Sequence, residues 1–287
     1  MPNIPQIHHG LHVADLALTK AALRAIGYTL TQPGAEEPIQ ISNVPADPVG
    51  QQTAQVLGDR YITHYIENPA TGHQIDLIQI EPPFLRPRPS LAPAQGDLTI
   101  GVRVPDPLAA YAAFRAADPR GGFSAPAACH EEDGAGEGAI RFYGVEGQDF
   151  IFTRHADAFA IVHYSAQDFP LARRLFTEGF GFELAQIGSP TPGARRYRVQ
   201  GAGGRLDIEV RADVARPDFA QSGKRYAAAN HFRLLNVDMA GVQQRLTATG
   251  LGGFLLGPYP NGFAFAFGRT NETVELYDLA MLERALA

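Results

Sequence analysis

The stretch His231-Phe232-Arg233-Leu234-Leu235-Asn236-Val237-Asp238 reads as a short, mostly apolar strand that stops at an aspartate. Behind it, Val242 and Leu246 fall at helical spacing, and Gly250 offers a stop, since glycine takes the left-handed cap conformation without strain. Further on come Gly257-Pro258, the alternating run Phe263-Ala264-Phe265-Ala266-Phe267, and the strand-like Val274-Glu275-Leu276-Tyr277, entered from a turn at Asn271. Strand, helix and closing hairpin together make one unit.

The same unit can be read three times upstream, and a repeat of this kind decides the fold before any single residue does. The first copy runs from Ile7 through Val13 to Asp15, then places Leu18, Ala22 and Ile26 at helical spacing before Gly27, and closes over Gly72 to Leu77. The second runs from Leu98 through Val104 to Asp106, with Leu108, Tyr111 and Phe114 as a weaker helical stripe, and closes over Gly147 to Phe152. The third opens at Ala160 to Ser165, passes Asp168, Leu171, Leu175 and Phe176 to Gly179-Phe180-Gly181-Phe182, and closes over Gly204 to Glu209. Proline-rich text from Glu81 to Pro93 reads as an extended connector, Ala127 to Gly138 as a surface loop, and Arg211 to Arg225 as another connector.

Composition fits many short strands. Thirty glycines and 22 prolines in 287 residues are more than an all-helical chain tolerates, while 45% hydrophobic residues suffice for a large core. The single cysteine, Cys129, excludes an internal disulfide framework or a cysteine-rich zinc site. A net charge of -6 with scattered Arg and Lys argues against nucleic acid, and no stretch reaches the ~18 apolar residues that span a bilayer. The expectation is a cytoplasmic protein without a leader, without membrane or nucleic-acid partners, acting on a small molecule, with a homodimer as an option.

The repeated unit, and above all the text from His231 to Tyr277, resembles the vicinal oxygen chelate superfamily, the group of glyoxalases, bleomycin-resistance proteins and extradiol dioxygenases. The resemblance implies an α+β fold of four βαβββ modules forming two cup-shaped, mostly antiparallel curved sheets with flanking helices. Residues 1–155 would carry one pair of modules and 156–287 the other, with the cups built either sequentially or from modules one plus four and two plus three. It also implies a divalent metal, Fe(II), Mn(II), Zn(II) or Ni(II), held by residues on the first and last strands of each module.

Counting back equally from the four aspartates puts His8, Thr99, Ile161 and His231 at the first-strand position. Aligning on the closing turns puts Asp76, Phe150, Asp207 and Glu275 at the last-strand position. Only modules one and four combine histidine with a carboxylate, so their pairing would present His8, Asp76, His231 and Glu275 to one ion. Sequential pairing would instead put Ile161 at a ligand position, and His163, two residues on and on the same strand face, would stand in as a ligand or act on substrate. The plain alternative for each histidine is a hydrogen-bonded place in the core.

Tyr277 and Tyr197 are expected on cup walls, and Glu209 at solvent or in a salt bridge. His64, His73, His130 and His155 are expected exposed near turns. Phe263, Phe265 and Phe267 share one strand face, as a core wall or as a wall for an aromatic substrate; Phe265 stands where many extradiol enzymes have a catalytic tyrosine. The function expected is a metal-dependent enzyme on a small oxygenated substrate, extradiol dioxygenase-like in the favoured variant. The alternatives are a glyoxalase-like isomerase or lyase, and a metal-free binding protein of the resistance type.

Overall fold

The computed structural model describes residues 8–30, 38–40, 60–81, 95–129, 138–154, 157–189, 191–214, 229–235, 237–270 and 272–286. His130, His155, Asn271 and most of the three connector stretches lie outside them.

Module one comprises strand β1 (His8–His12), helix α1 (Leu16–Arg24), and strands β2 (Thr29–Leu30), β3 (Pro38–Gln40), β4 (Arg60–Asn68) and β5 (His73–Glu81). Module two has β6 (Leu98–Arg103), α2 (Pro107–Ala116), β7 (Ala127–Cys129), β8 (Ala139–Tyr143) and β9 (Asp149–Thr153). Module three has β10 (Phe159–Ser165), α3 (Phe169–Arg174, continued by a wider turn over Leu175–Gly179), β11 (Glu183–Ile187), β12 (Arg195–Gln200) and β13 (Arg205–Arg211). Module four has β14 (Ala229–Leu234), α4 (Met239–Thr249), β15 (Gly252–Leu256), β16 (Phe263–Gly268) and β17 (Thr273–Tyr277), followed by α5 (Leu279–Leu286).

The aspartate that marks each repeat sits where the strand hands over to its helix. Asp15 accepts from the Leu18 amide, Asp106 from Leu108 and Ala109, and Asp238 from Gly241, satisfying amides that a helix start leaves without partners. Asp168 makes no such cap and is held instead by the Ser165 hydroxyl, which donates to it at 2.9 Å. Gly250 closes α4 at φ 63°, the left-handed cap its position predicts.

Two mixed sheets result, each predominantly antiparallel, as the α+β reading requires. One runs β15-β16-β17-β14-β1-β5-β4-β2, with β3 also on β4; the other runs β11-β12-β13-β10-β6-β9-β8-β7. The first joins modules one and four through the antiparallel β1–β14 pair, and the second joins modules two and three through β6–β10. A shared apolar core reaches both sheets, with Phe176 of module three stacked on Phe232 of module four. Glu146, in the turn before β9, accepts from the Ala14 and Asp15 amides and so ties module two to the start of α1.

Some local expectations change. Ala127–Cys129, read as loop, forms the edge strand β7, pairing with β8. His64 and His73 lie buried within strands rather than exposed at turns, because their ring nitrogens find partners on the helix side of the sheet: His64 with Lys20, His73 with His9 and Tyr28. Tyr197 points to the helix side and stacks on Phe169, away from the cup. Among the described residues no helix is long and apolar enough to cross a membrane.

Candidate metal centre

Side chains alternate across a strand, so cross-strand register decides which of them meet. In the sheet of modules one and four, His8 lies opposite Gln74, Gly10 opposite Asp76 on one side and His231 on the other, and Arg233 opposite Glu275. Phe263, Phe265 and Phe267 continue the same face on β16, opposite Tyr277, Glu275 and Thr273. The concave face therefore gathers chemistry from segments that are more than two hundred residues apart, His8 and His231 being separated by 223 positions.

Three atoms converge there. His8 Nε2 lies 3.1 Å from Glu275 Oε2 and 3.2 Å from His231 Nε2, and His231 Nε2 lies 3.9 Å from the same carboxylate oxygen. All three residues are buried. Among the described residues this is the one cluster of three or more His, Cys, Asp or Glu whose ligand atoms lie within 4.8 Å of one another. The side-chain oxygen of Gln74, 2.9 Å from His8 Nδ1, only accepts, so His8 donates from Nδ1 and turns the lone pair of Nε2 toward the cluster. Burial first, and the Arg233 cation second, hold the His8 pKa well below its ordinary value, which keeps the ring neutral.

This donor set suits a divalent cation. The His8 lone pair, 3.1 Å from a carboxylate oxygen and 3.2 Å from a second imidazole nitrogen, is stabilised by positive charge placed among the three atoms. The point equidistant from the three atoms lies about 2.0 Å from each, within the bonding range for nitrogen and carboxylate donors. Gly10 is part of the seat: a Cβ there would overlap the His231 ring. Arg233 donates from Nε to Glu275 Oε2 at 3.0 Å and from Nη2 to Oε1 at 3.2 Å, fixing the carboxylate as a two-point pair while leaving it further lone pairs.

Asp76 is related to Glu275 by the module repeat, each standing two residues beyond the position opposite the histidine of its own module. It is not in the close cluster. Burial and the nearby Glu275 charge raise its pKa well above the usual carboxylate range, against the pull of Arg233. Phe265 meets the His231 ring edge-on at 5.0 Å, Phe263 packs on Phe265 and Tyr277, and Arg233 lies over Tyr277 at 4.9 Å, so one wall of the cup is aromatic. Gln74, Gly10 and Arg233 carry no motif; only the strand register reveals them.

His163 belongs to the other sheet. Its Nε2 lies 2.7 Å from Thr99 Oγ1, whose hydroxyl donates to Asp149 at 2.5 Å, and its Nδ1 lies 3.6 Å from Glu209. The second cup repeats the first in outline: Gly101 lies opposite Phe159, and a Cβ on Gly101 would overlap that ring. Phe159, rather than Ile161, thus occupies the place of His231. Equal counting fails in module three because nine positions separate Phe159 from Asp168, against seven from His231 to Asp238. Asp207, in the place of Glu275, is surrounded by Arg196, Arg198 and Arg205. Glu209 is buried rather than at solvent.

No family model and no curated protein matches the chain in sequence. Solved structures do match in shape. Glyoxalase I from Zea mays superposes with a TM-score of 0.59 at 14% identity, covering 97% of this chain and 94% of that one. A putative dioxygenase from Bacillus subtilis superposes at 0.51 and 14% identity, over 94% of this chain and 83% of that one. At such identity the likeness is one of fold.

Proposed function

We propose that this chain, whose fold is that of the vicinal oxygen chelate superfamily, is a metal-dependent enzyme that takes a small substrate through two neighbouring oxygens. The observation that carries the reading is the convergence of His8 Nε2, His231 Nε2 and Glu275 Oε2 on one point of the concave face. Those three residues would hold the ion. When bound, it supplies Lewis acidity, polarising the two substrate oxygens and stabilising charge that builds on them.

The chain's own groups complete the site. Gln74 orients His8, a supporting contact of the kind whose loss typically costs 10–100-fold in metal affinity. Glu275 brings one negative charge and Arg233 one positive charge, so the pocket would remain cationic around a divalent ion and favour a substrate that binds as an oxyanion. Phe263, Phe265 and Tyr277 offer an apolar wall for the substrate's body and exclude water from that side.

Two histidines and one carboxylate form the donor set of non-haem iron oxygenases, which favours extradiol-type cleavage of a catecholic ring. Phe265 cannot supply the proton transfers of a tyrosine there. The second reading is a glyoxalase-like isomerisation or lyase reaction, favoured by Asp76, a second buried carboxyl at the repeat-related position.

Anaerobic reconstitution with Fe(II), Mn(II), Zn(II) or Ni(II), followed by metal analysis, tests the proposal. The wild type is expected to retain about one ion per chain, and His231→Ala and Glu275→Gln to lose it, as removal of one of three protein ligands implies. Wild-type protein that retains none would leave a metal-free binding cup. Oxygen uptake with catechols by the iron-loaded protein separates ring cleavage from isomerisation.

A further inference from the structure

Strand β16 carries its large and small residues on the reverse of the usual faces. Ala264 and Ala266 are fully buried in the main apolar core, while Phe263 and Phe265 alternate with them onto the concave face and stay only half-buried. A strand that served only to cover a core would turn phenylalanine inward and alanine outward, because burying a large ring gains more than burying a methyl group. Apolar surface left open in a groove points to a ligand.

The open rings form a row that starts at the metal cluster. Phe265 meets the His231 ring edge-on at 5.0 Å, Phe263 lies 5.4 Å from Phe265, and Tyr259 stacks on Phe263 at 6.0 Å with the ring planes 6° apart. Tyr259 is 43% exposed, so the row runs from a buried histidine out to solvent.

Its outer end is held in place. The Tyr259 amide donates to the Phe263 carbonyl at 2.9 Å, and the Tyr259 carbonyl accepts from the Gly262 amide at 2.9 Å. Gly262 takes φ 77°, which a side chain would strain, and its carbonyl accepts from the Asp278 amide at 2.8 Å, tying the turn to the end of β17. A ring anchored in this way loses little freedom when a ligand covers it.

The other side of the cluster differs. Tyr65 stands opposite Asp76 on β4 and β5 as Phe265 stands opposite Glu275 on β16 and β17, so the position related to Phe265 by the repeat brings a phenol next to a carboxyl. A flat apolar body thus has one favourable direction away from the ion, along β16.

We infer that Phe263 and Tyr259 form an outer subsite that selects ligands whose two chelating oxygens carry a flat apolar body two rings long. The near ring lies against Phe265 and the far ring against Phe263 and Tyr259, where edge and face contacts between rings add to the area buried. The inference rests on the metal reading for the near end of the ligand; the far end depends on the rings alone.

The test loads the intact chain with Zn(II) and compares benzohydroxamate with 4-phenylbenzohydroxamate, which present the same two neighbouring oxygens on one ring and on two. Calorimetry gives both affinities, and their ratio is the readout, because metal retention cancels from it. The two-ring probe is expected to bind about tenfold tighter or better in the wild type, as burial of a further ring implies. Tyr259→Ala should shrink that ratio about fivefold, and Tyr259→Phe, which keeps the ring and drops the hydroxyl, should preserve it. Tyr259 is exposed, so its truncation spares the fold, which an unchanged melting temperature checks. A wild-type ratio near unity, a ratio untouched by Tyr259→Ala, or one abolished by Tyr259→Phe would overturn the inference. Wild-type chain that retains no ion overturns the metal reading alone. The subsite is then read on the metal-free chain, where Tyr259→Ala should still weaken saturable binding of 4-phenylbenzohydroxamate about threefold, and an unchanged affinity, or no saturable binding, overturns it.

Discussion

Gly10 does more for the candidate centre than most of its polar residues, because the His231 ring lies where any side chain on residue 10 would be. Gly10→Ala should therefore lower metal affinity at least tenfold while every donor atom remains in the chain, as misplacing a donor by a fraction of an ångström degrades a site. A metal titration against His231→Ala reads this directly. Gln74→Leu should cost 10–100-fold, with Gln74→Glu recovering part of it, since only an acceptor opposite Nδ1 keeps the His8 lone pair aimed inward. The three converging side chains were legible from the repeat: His8, His231 and Glu275 emerge by laying one module on another. Gln74, Gly10 and Arg233 were not, because cross-strand register places them and a one-dimensional alignment does not contain it. The same gap sent the alignment to Ile161 where Phe159 stands.

Among the elements, the β1–β5 pair carries a second buried chain on the face away from the cup. The Tyr28 hydroxyl lies 2.6 Å from His73 Nδ1, and His73 Nε2 lies 2.8 Å from His9 Nδ1. Burial holds all three neutral, lifting the tyrosine pKa, depressing that of His73 well below 6.5, and depressing that of His9 to about 3. Tyr28→Phe would leave a buried ring nitrogen without its donor and should cost about 1–3 kcal/mol in denaturant unfolding. Since His73 takes up its proton only in the unfolded chain near pH 6.5, its contribution is intact above that pH. It should be lost as pH falls below 6.5, by up to about 1.4 kcal/mol per unit, seen as a falling melting temperature. Strand, helix and closing hairpin were readable in every module from periodicity and glycine stops. The burial of His64 and His73 was not, since a histidine beside a turn looks the same in sequence whether or not a tyrosine or lysine reaches it.

At the scale of the molecule, each sheet takes one module from either half of the chain. Residues 1–155 or 156–287 produced alone should thus fail to give a cooperative unfolding transition, whereas the two halves expressed together should assemble and regain metal retention. Gel filtration and metal analysis of the mixture check this. Four modules were legible from the repeat, but which modules pair is a question of long-range contacts, and local text is silent on it.

The β1–β14 seam also sets an order of events at the ribosome. The sheet of modules two and three has all its described strands once Arg211 has emerged, but that of modules one and four waits for Tyr277. With His231 223 positions after His8, synthesis at 5–20 residues per second leaves the β14-pairing edge of β1 bare for roughly 10–45 s. A nascent chain in that state presents an unfinished histidine-bearing edge to its surroundings, so production of active protein should depend on chaperone supply more steeply than the stability of the finished fold alone would suggest.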